Sequence, residues 1–130
     1  MFELENEKVV YKDLSYLVVG VLFDVYNEIG GNHYEKNIQK AIARGFDLLN
    51  IKYQREVAAP LFYKGKQVGK YYLDFVVEDK LVLEIKRGYK FAQKDFSQVE
   101  AYLKAKNYKL GILVLFTKEK VKFKRILNIY

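Results

Sequence analysis

The chain lacks several residue types on which common active sites depend: it has no cysteine, no tryptophan and a single histidine in 130 residues. Without cysteine, it forms no disulfide and has neither a thiolate zinc site nor a cysteine nucleophile. Serine–histidine hydrolase chemistry would depend on His33, and neither Ser15 nor Ser97 lies in a nucleophile-elbow motif. Gly30-Gly31 lacks the lysine and the spacing of a phosphate-binding loop. Chemistry based on thiols, paired histidines or glycine-rich loops is therefore not indicated.

Long apolar runs are also missing, and no segment approaches the uninterrupted length of a membrane span. The start of the sequence, Met-Phe-Glu-Leu-Glu-Asn-Glu, is acidic, which argues against a secretory signal peptide. The 51% hydrophobic content is enough for a core, and the single proline and the absence of low-complexity tracts suggest no linker. We therefore expect one domain over residues 1–130 and a cytoplasmic location.

The net charge is +7, from 23 lysines and arginines against 16 acidic residues. Such an excess favours a polyanionic partner, either nucleic acid or an anionic membrane surface. Many lysine-rich soluble proteins bind nothing acidic, so charge alone favours nucleic acid only slightly. We expect nucleic acid as the partner and no membrane.

Hydrophobic periodicity predicts an α/β fold in the order α-α-β-β-β-α-β-β. The first helix has apolar residues at i, i+3, i+4 and i+7 spacing and stops at Gly30-Gly31. The second helix has Asn32 as a plausible N-cap and Glu35 at the capping-box position. A helix between the third and fourth strands predicts a crossover that joins parallel neighbours. The predicted helices are about Asp13–Ile29, His33–Asn50 and Ala92–Lys106, and the strands about Tyr53–Tyr63, Gln67–Val77, Leu81–Arg87, Leu110–Phe116 and Val121–Ile126.

Charged residues interrupt the second and third predicted strands, where a buried sheet should be apolar. Glu84 and Lys86 share one face of a strand, and a turn at residues 78–80 could bring Asp74 beside Glu84. Two carboxylates and an ammonium inside apolar runs are costly unless they are paired or hold a metal. The D…E-x-K spacing is that of metal-dependent phosphodiesterases. On its own, an acid followed by a lysine usually marks a solvated sheet face, but the element order strengthens the interpretation.

The motif and the element order together resemble the PD-(D/E)XK nuclease superfamily, whose restriction-endonuclease-like fold is a mixed β-sheet flanked by helices. Leu73 stands where the motif's optional proline would be. In the branch that includes lambda-type exonucleases, a glutamate before the sheet and a glutamine after it join the site, and this chain offers Glu35 and Gln98. The segment Gln98-Val99-Glu100-Ala101-Tyr102 is similar to that branch's Q-x-x-x-Y pattern.

The resemblance implies a Mg²⁺ or Mn²⁺ site with Asp74 and Glu84 as carboxylate ligands, the carbonyl of Ile85 as a third and Glu35 completing it. It also implies that Lys86 orients or deprotonates the attacking water and that Gln98 holds the water or a scissile-strand oxygen. Glu35 and Gln98 each have a plainer interpretation, as a helix cap and as a helix-surface residue. Phosphates would contact a basic fringe, and Tyr102 would either stack on a base or fill the core. The predicted nucleic-acid contacts are Arg87, Lys90, Lys94 and Tyr102, with Lys104 and Lys106 in the same fringe.

From about Asp13 onward, the chain is similar to the small GxxExxY family of this superfamily. The stretches Asn27–Gly31 and Phe62–Gly69 carry the similarity, although Asn32 and Ile38 replace the motif's glycine and tyrosine. The resemblance implies a Mg²⁺-dependent nuclease, an enzyme that acts on DNA. The alternative is a non-catalytic module that binds nucleic acid or a protein partner and retains the fold. A homodimer or a larger protein partner stays open.

Overall fold

The computed structural model describes residues 10–128. The acidic start, on which the expectation of no signal peptide rests, lies outside the described residues. Two helices precede three strands, and a third helix precedes the last two strands. The helices are α1 (Lys12–Ile29), α2 (Glu35–Leu48) and α3 (Gln93–Lys106), and the strands are β1 (Tyr53–Tyr63), β2 (Lys66–Val77), β3 (Leu81–Arg87), β4 (Leu110–Phe116) and β5 (Val121–Leu127).

The five strands form one mixed sheet in the order β1-β2-β3-β4-β5. Strands β3 and β4 are parallel because α3 crosses between them, and the other neighbours are antiparallel. One apolar core joins α1 and α2 to one face of the sheet, and a second joins α3 to the other face. The predicted mixed sheet with flanking helices is confirmed.

Every residue of β4 is buried, as expected for a strand covered by helices on both sides. Gly111 at its start lets α3 approach the sheet closely. A β-carbon at this position would lie 2.6 Å from Cγ1 of Val99 on α3. Close contact between α3 and the sheet therefore depends on a residue without a side chain.

The start of α2 differs from the prediction. The helix begins at Glu35 with Tyr34 as N-cap and no side-chain capping hydrogen bond, so the assignment of Asn32 as N-cap was wrong. The segment before α2 instead packs against the residue that follows β4. Gly31 contacts the backbone carbonyl of Thr117, which also accepts a 3.1 Å hydrogen bond from the Tyr26 hydroxyl. Glu35 is consequently the first helical residue, and its capping-box role does not arise.

Strands β1 and β2 form a long hairpin that turns at Lys64-Gly65, where both residues have positive φ. This pair suits the two-residue turn that matches the twist of a hairpin. β1 is an edge strand, a position that tolerates Pro60, and the register shifts between Leu61 and Phe62. Within the described range, no helix is long and apolar enough to cross a membrane.

Candidate active site

The candidate site lies where β2 and β3 stop pairing. The two strands pair only at three positions, the last being Phe75 with Leu83, so Asp74 and Glu84 face each other just beyond the ladder. Leu73 packs in the α3-side core and Phe75 in the α1/α2-side core, so the usual alternation of faces is interrupted at Asp74. A local irregularity in β2 therefore places a carboxylate between the two cores.

Side-chain carboxylates take over backbone hydrogen bonding at this divergence. The Asp74 N–H donates to Oε1 of Glu84 over 3.1 Å, and the Ile85 N–H donates to Oδ2 of Asp74 over 2.7 Å. A buried backbone N–H without a partner would be costly, so these bonds also stabilise the strand ends. The predicted proximity of Asp74 and Glu84 is thus present in the structure.

Burial makes ionisation of both carboxyl groups unfavourable. Desolvation raises the pKa of Asp74 to about 6; the negative charge of Glu35 adds to the rise, and the Ile85 hydrogen bond opposes it. Desolvation, followed by the negative charge of Asp74, raises the pKa of Glu84 to about 7. Two adjacent acids with raised pKa values form a site at which a cation is favoured.

Lys86 supplies the nearest positive charge. Its Nζ lies 3.5 Å from Oε2 of Glu84 and 3.7 Å from Oδ1 of Asp95, and its side chain is 28% exposed. Burial lowers the pKa of this ammonium, but the surrounding carboxylates, led by Glu84 and Asp95, outweigh burial and raise it. Lys86 is therefore a cation held between a strand and a helix at the edge of the site.

Gln39 and Asp95 also contact the charged residues, and sequence reasoning missed both. Gln39 on α2 donates a 2.9 Å hydrogen bond from Nε2 to Oδ1 of Asp74. Asp95 at the start of α3 is buried, pairs with Lys86 and also accepts a hydrogen bond from the N–H of the preceding N-cap residue. Gln39 lies four residues after Glu35, and this helical spacing could have indicated a shared face.

The remaining predicted helical site residues have separate positions. Glu35 is partly exposed at the start of α2, and its charge influences the pKa of both Asp74 and Lys86. Gln98 is partly buried on α3, and its backbone carbonyl accepts a 2.8 Å hydrogen bond from the Tyr71 hydroxyl. Its side chain makes no hydrogen bond to the protein within residues 10–128.

Tyr102 is a core residue rather than a surface for stacking. Its ring is 3% exposed and lies parallel to that of Tyr108, with the centroids 5.9 Å apart. Of the two interpretations considered for this residue, the structure supports the core. The other predicted nucleic-acid contacts, Arg87, Lys90 and Lys94, are all exposed on β3, the following loop and α3.

The donor set is compatible with Mg²⁺ or Mn²⁺ but smaller than predicted. Among residues 10–128, no three Asp, Glu, His or Cys side chains lie close enough together to hold a metal ion, so Glu35 does not join Asp74 and Glu84 in one cluster. Mg²⁺ commonly uses one or two carboxylates and fills its remaining positions with water and substrate oxygens. The buried Glu84 and the partly buried Asp74, both with raised pKa values, therefore fit such an ion.

Comparisons with known proteins agree with this fold. A sequence model of the PD-(D/E)XK nuclease superfamily matches residues 12–126. No curated protein matches. The crystal structure of SSO0001 resembles the chain with a TM-score of 0.56 at 19% identity over 72% of the chain, and the alignment spans 50% of that protein's chain. At this identity the likeness concerns the fold alone. Because the family match extends over all eight elements of the sheet and its helices, the chain belongs to the PD-(D/E)XK nuclease superfamily.

Proposed function

We propose that this protein is a Mg²⁺- or Mn²⁺-dependent nuclease that hydrolyses phosphodiester bonds in DNA. The observation that supports it best is the pairing of the buried Glu84 with the partly buried Asp74 at the divergence of β2 and β3, with the Lys86 ammonium 3.5 Å from Glu84. A metal ion bound at this site would compensate for charges that otherwise destabilise the interior of a sheet.

Asp74 and Glu84 would hold the metal, and the carbonyl of Ile85 would add a ligand. When bound, the ion would supply a Lewis acid and lower the pKa of a bound water. Gln39 fixes the orientation of the Asp74 carboxylate through its 2.9 Å hydrogen bond. Glu35, free of a capping role, would add negative charge beside the ion or hold one of its waters.

Lys86 would orient the attacking water and balance negative charge on the phosphate. Its raised pKa keeps it protonated near neutral pH, which favours these roles over proton abstraction. Asp95 holds the ammonium from the α3 side at 3.7 Å. Gln98, whose side chain is free of hydrogen bonds to the described residues, would contact the water or a strand oxygen. The exposed Arg87, Lys90 and Lys94 would contact phosphates without reading sequence.

We further propose that residues 1–130 form one nuclease domain of the GxxExxY family that acts on DNA in the cytoplasm. The family assignment is supported by the stretches Asn27–Gly31 and Phe62–Gly69 and by the retained Glu35. A cytoplasmic location is supported by the absence of cysteine from the sequence. A homodimer or a larger partner protein would extend the surface available to DNA.

The test is cleavage of plasmid DNA and single-stranded DNA in Mg²⁺ or Mn²⁺, with the wild type beside Lys86→Ala and Asp74→Ala. Lys120→Ala is the matched control, because Lys120 is an exposed lysine in the turn before β5. We expect metal-dependent cleavage by the wild type and the control, and a loss of at least about 100-fold in the two site variants. RNA substrates in parallel measure the preference for DNA.

Cleavage that persists in Lys86→Ala and Asp74→Ala would place the activity elsewhere or in a contaminant. If all the proteins are inert and the wild type shifts DNA in a gel with strong salt dependence, the fold serves as a binding module. That result would favour the non-catalytic alternative over the nuclease.

A further inference from the structure

The part of the β1/β2 hairpin beyond the site extends away from the rest of the sheet. We call residues 57–73 the arm: it runs along β1 to the turn and returns along β2 to Leu73, next to Asp74. β3 pairs with β2 only at residues 75–77, and β1 is the edge of the sheet, so within the described residues both edges of the arm lack a strand partner. The arm is thus a two-stranded ribbon that begins where the candidate site begins.

The base of the arm is anchored, whereas its outer part is exposed. Ala59 and Leu73 are buried in the α3-side core, and the Tyr71 hydroxyl donates to the Gln98 carbonyl on α3 over 2.8 Å. Phe62, at the outer end, is 60% exposed. The anchoring gives the ribbon a defined direction relative to the site.

Exposed aromatic rings and lysines lie beside one another on the arm. Phe62, Tyr63 and Tyr72 are 60%, 63% and 53% exposed. The Nζ of Lys64 lies 5.3 Å from the ring centroid of Tyr63, and that of Lys70 lies 5.6 Å from the centroid of Tyr72. The segment also carries Lys66 and contains no aspartate or glutamate. Exposure of the aromatic rings to water is unfavourable, and the lysines would repel a cationic partner.

We propose that the arm binds single-stranded DNA, with its exposed rings stacking on unpaired bases and its lysines contacting the phosphates. Stacking platforms interleaved with cations suit single strands because every base has an exposed π-face, whereas a continuous duplex hides these faces. The inference rests on the proposed function for the choice of DNA as ligand. It makes single-stranded regions, such as ends, flaps or bubbles, the substrate class delivered to the carboxylates at the base of the arm.

The absence of tryptophan from the sequence allows a direct test. In Tyr72→Trp the introduced indole is the only tryptophan, and titration with single-stranded oligothymidylate in EDTA should quench its fluorescence because the indole stacks on a base. The matched control is Tyr16→Trp on α1, where the tyrosine is 78% exposed but lies outside the arm. Quenching confined to Tyr72→Trp is expected. Equal quenching of both variants, or of neither, would overturn the proposal.

Affinity measurements separate the contributions of rings and lysines. Replacing Phe62, Tyr63 and Tyr72 together by alanine should weaken oligothymidylate binding by about tenfold or more, because each ring that stacks on a base adds to the free energy of binding. Replacing Lys64, Lys66 and Lys70 by glutamine should lower the slope of log affinity against log salt by about 2, since each phosphate contact on a single strand contributes about 0.7. The charge-matched control replaces three exposed lysines outside the arm, Lys109, Lys120 and Lys124.

The outcome is independent of catalysis because the titrations contain no divalent metal. If arm variants with wild-type melting temperatures bind oligothymidylate as tightly as the wild type, the arm proposal fails even when cleavage is observed. If the wild type cleaves nothing but binds single strands through the arm, the nuclease proposal fails and the arm proposal stands. Arm variants that instead change only the association state of the protein would show that the rings contact a protein partner, which would overturn the proposal.

Discussion

The charge on Glu84 should destabilise the metal-free protein at alkaline pH. Glu84 is 6% exposed beside Asp74, and the pKa of its carboxyl is raised from 4.5 to about 7. Above about pH 7 the group is ionised in both the folded and the unfolded chain, so the folded state bears the full desolvation penalty. Between about pH 7 and 4.5 the folded chain binds a proton that the unfolded chain does not, so the free energy of unfolding increases as the pH falls.

The size of the effect follows from the rise in pKa. A change from 4.5 to about 7 corresponds to about 3 kcal/mol of extra stability on going from alkaline to acidic pH. Glu84→Gln removes the charge but keeps an oxygen that can accept from the Asp74 N–H. In EDTA we therefore expect the variant to be more stable than the wild type near pH 8 and similar to it near pH 5.

Urea unfolding followed by far-UV circular dichroism between these pH values measures the difference. Glu100→Gln, on the exposed side of α3, is the matched control and should differ little from the wild type at any pH. At alkaline pH, adding Mg²⁺ should stabilise the wild type more than Glu84→Gln, because the ion binds the ionised carboxylates. A stability difference between Glu84→Gln and the wild type that does not change with pH would refute the argument, as would a wild type whose stability rises with pH.

Three further changes test the packing and the site. Gly111→Ala should lower the free energy of unfolding by about 1–3 kcal/mol because the new methyl would lie 2.6 Å from Cγ1 of Val99, and thermal melts would measure this. Tyr71→Phe should cost about 1 kcal/mol by removing the hydrogen bond that anchors the arm to α3, measured by urea unfolding. Asp95→Asn should lower kcat by about tenfold or more without abolishing DNA binding, because Lys86 loses one of its two carboxylate partners, and cleavage kinetics would show this.

The first two of these changes have control variants, and the third has an outcome that would contradict it. Gly69→Ala adds a methyl where nothing lies within 4 Å and should leave the melting temperature almost unchanged. Tyr89→Phe removes a hydroxyl from a 93% exposed ring and should cost little. A wild-type cleavage rate in Asp95→Asn would show that the 3.7 Å ion pair does not position Lys86 for the reaction.

Much of the fold was predictable because it depends on local patterns. Strand β4 is a continuous apolar run, and a helix precedes it, so a buried parallel strand followed from periodicity and connection rules. The placement of Asp74 opposite Glu84 likewise followed from the short turn between their strands. The start of α2 did not follow, because the contact of Gly31 with Thr117, distant in sequence, outweighs the local capping signal of Asn32.

The charge trio Asp74, Glu84 and Lys86, the order of helices and strands and the excess of positive charge can all be recognised from the residues alone. The groups that surround that trio are set by long-range packing. Gln39 and Asp95 reach it from helices on opposite faces of the sheet, and no local spacing encodes contacts between such distant segments. The structure also decided that Tyr102 is buried whereas Tyr72 is exposed, because exposure depends on which elements cover a side chain rather than on residue type.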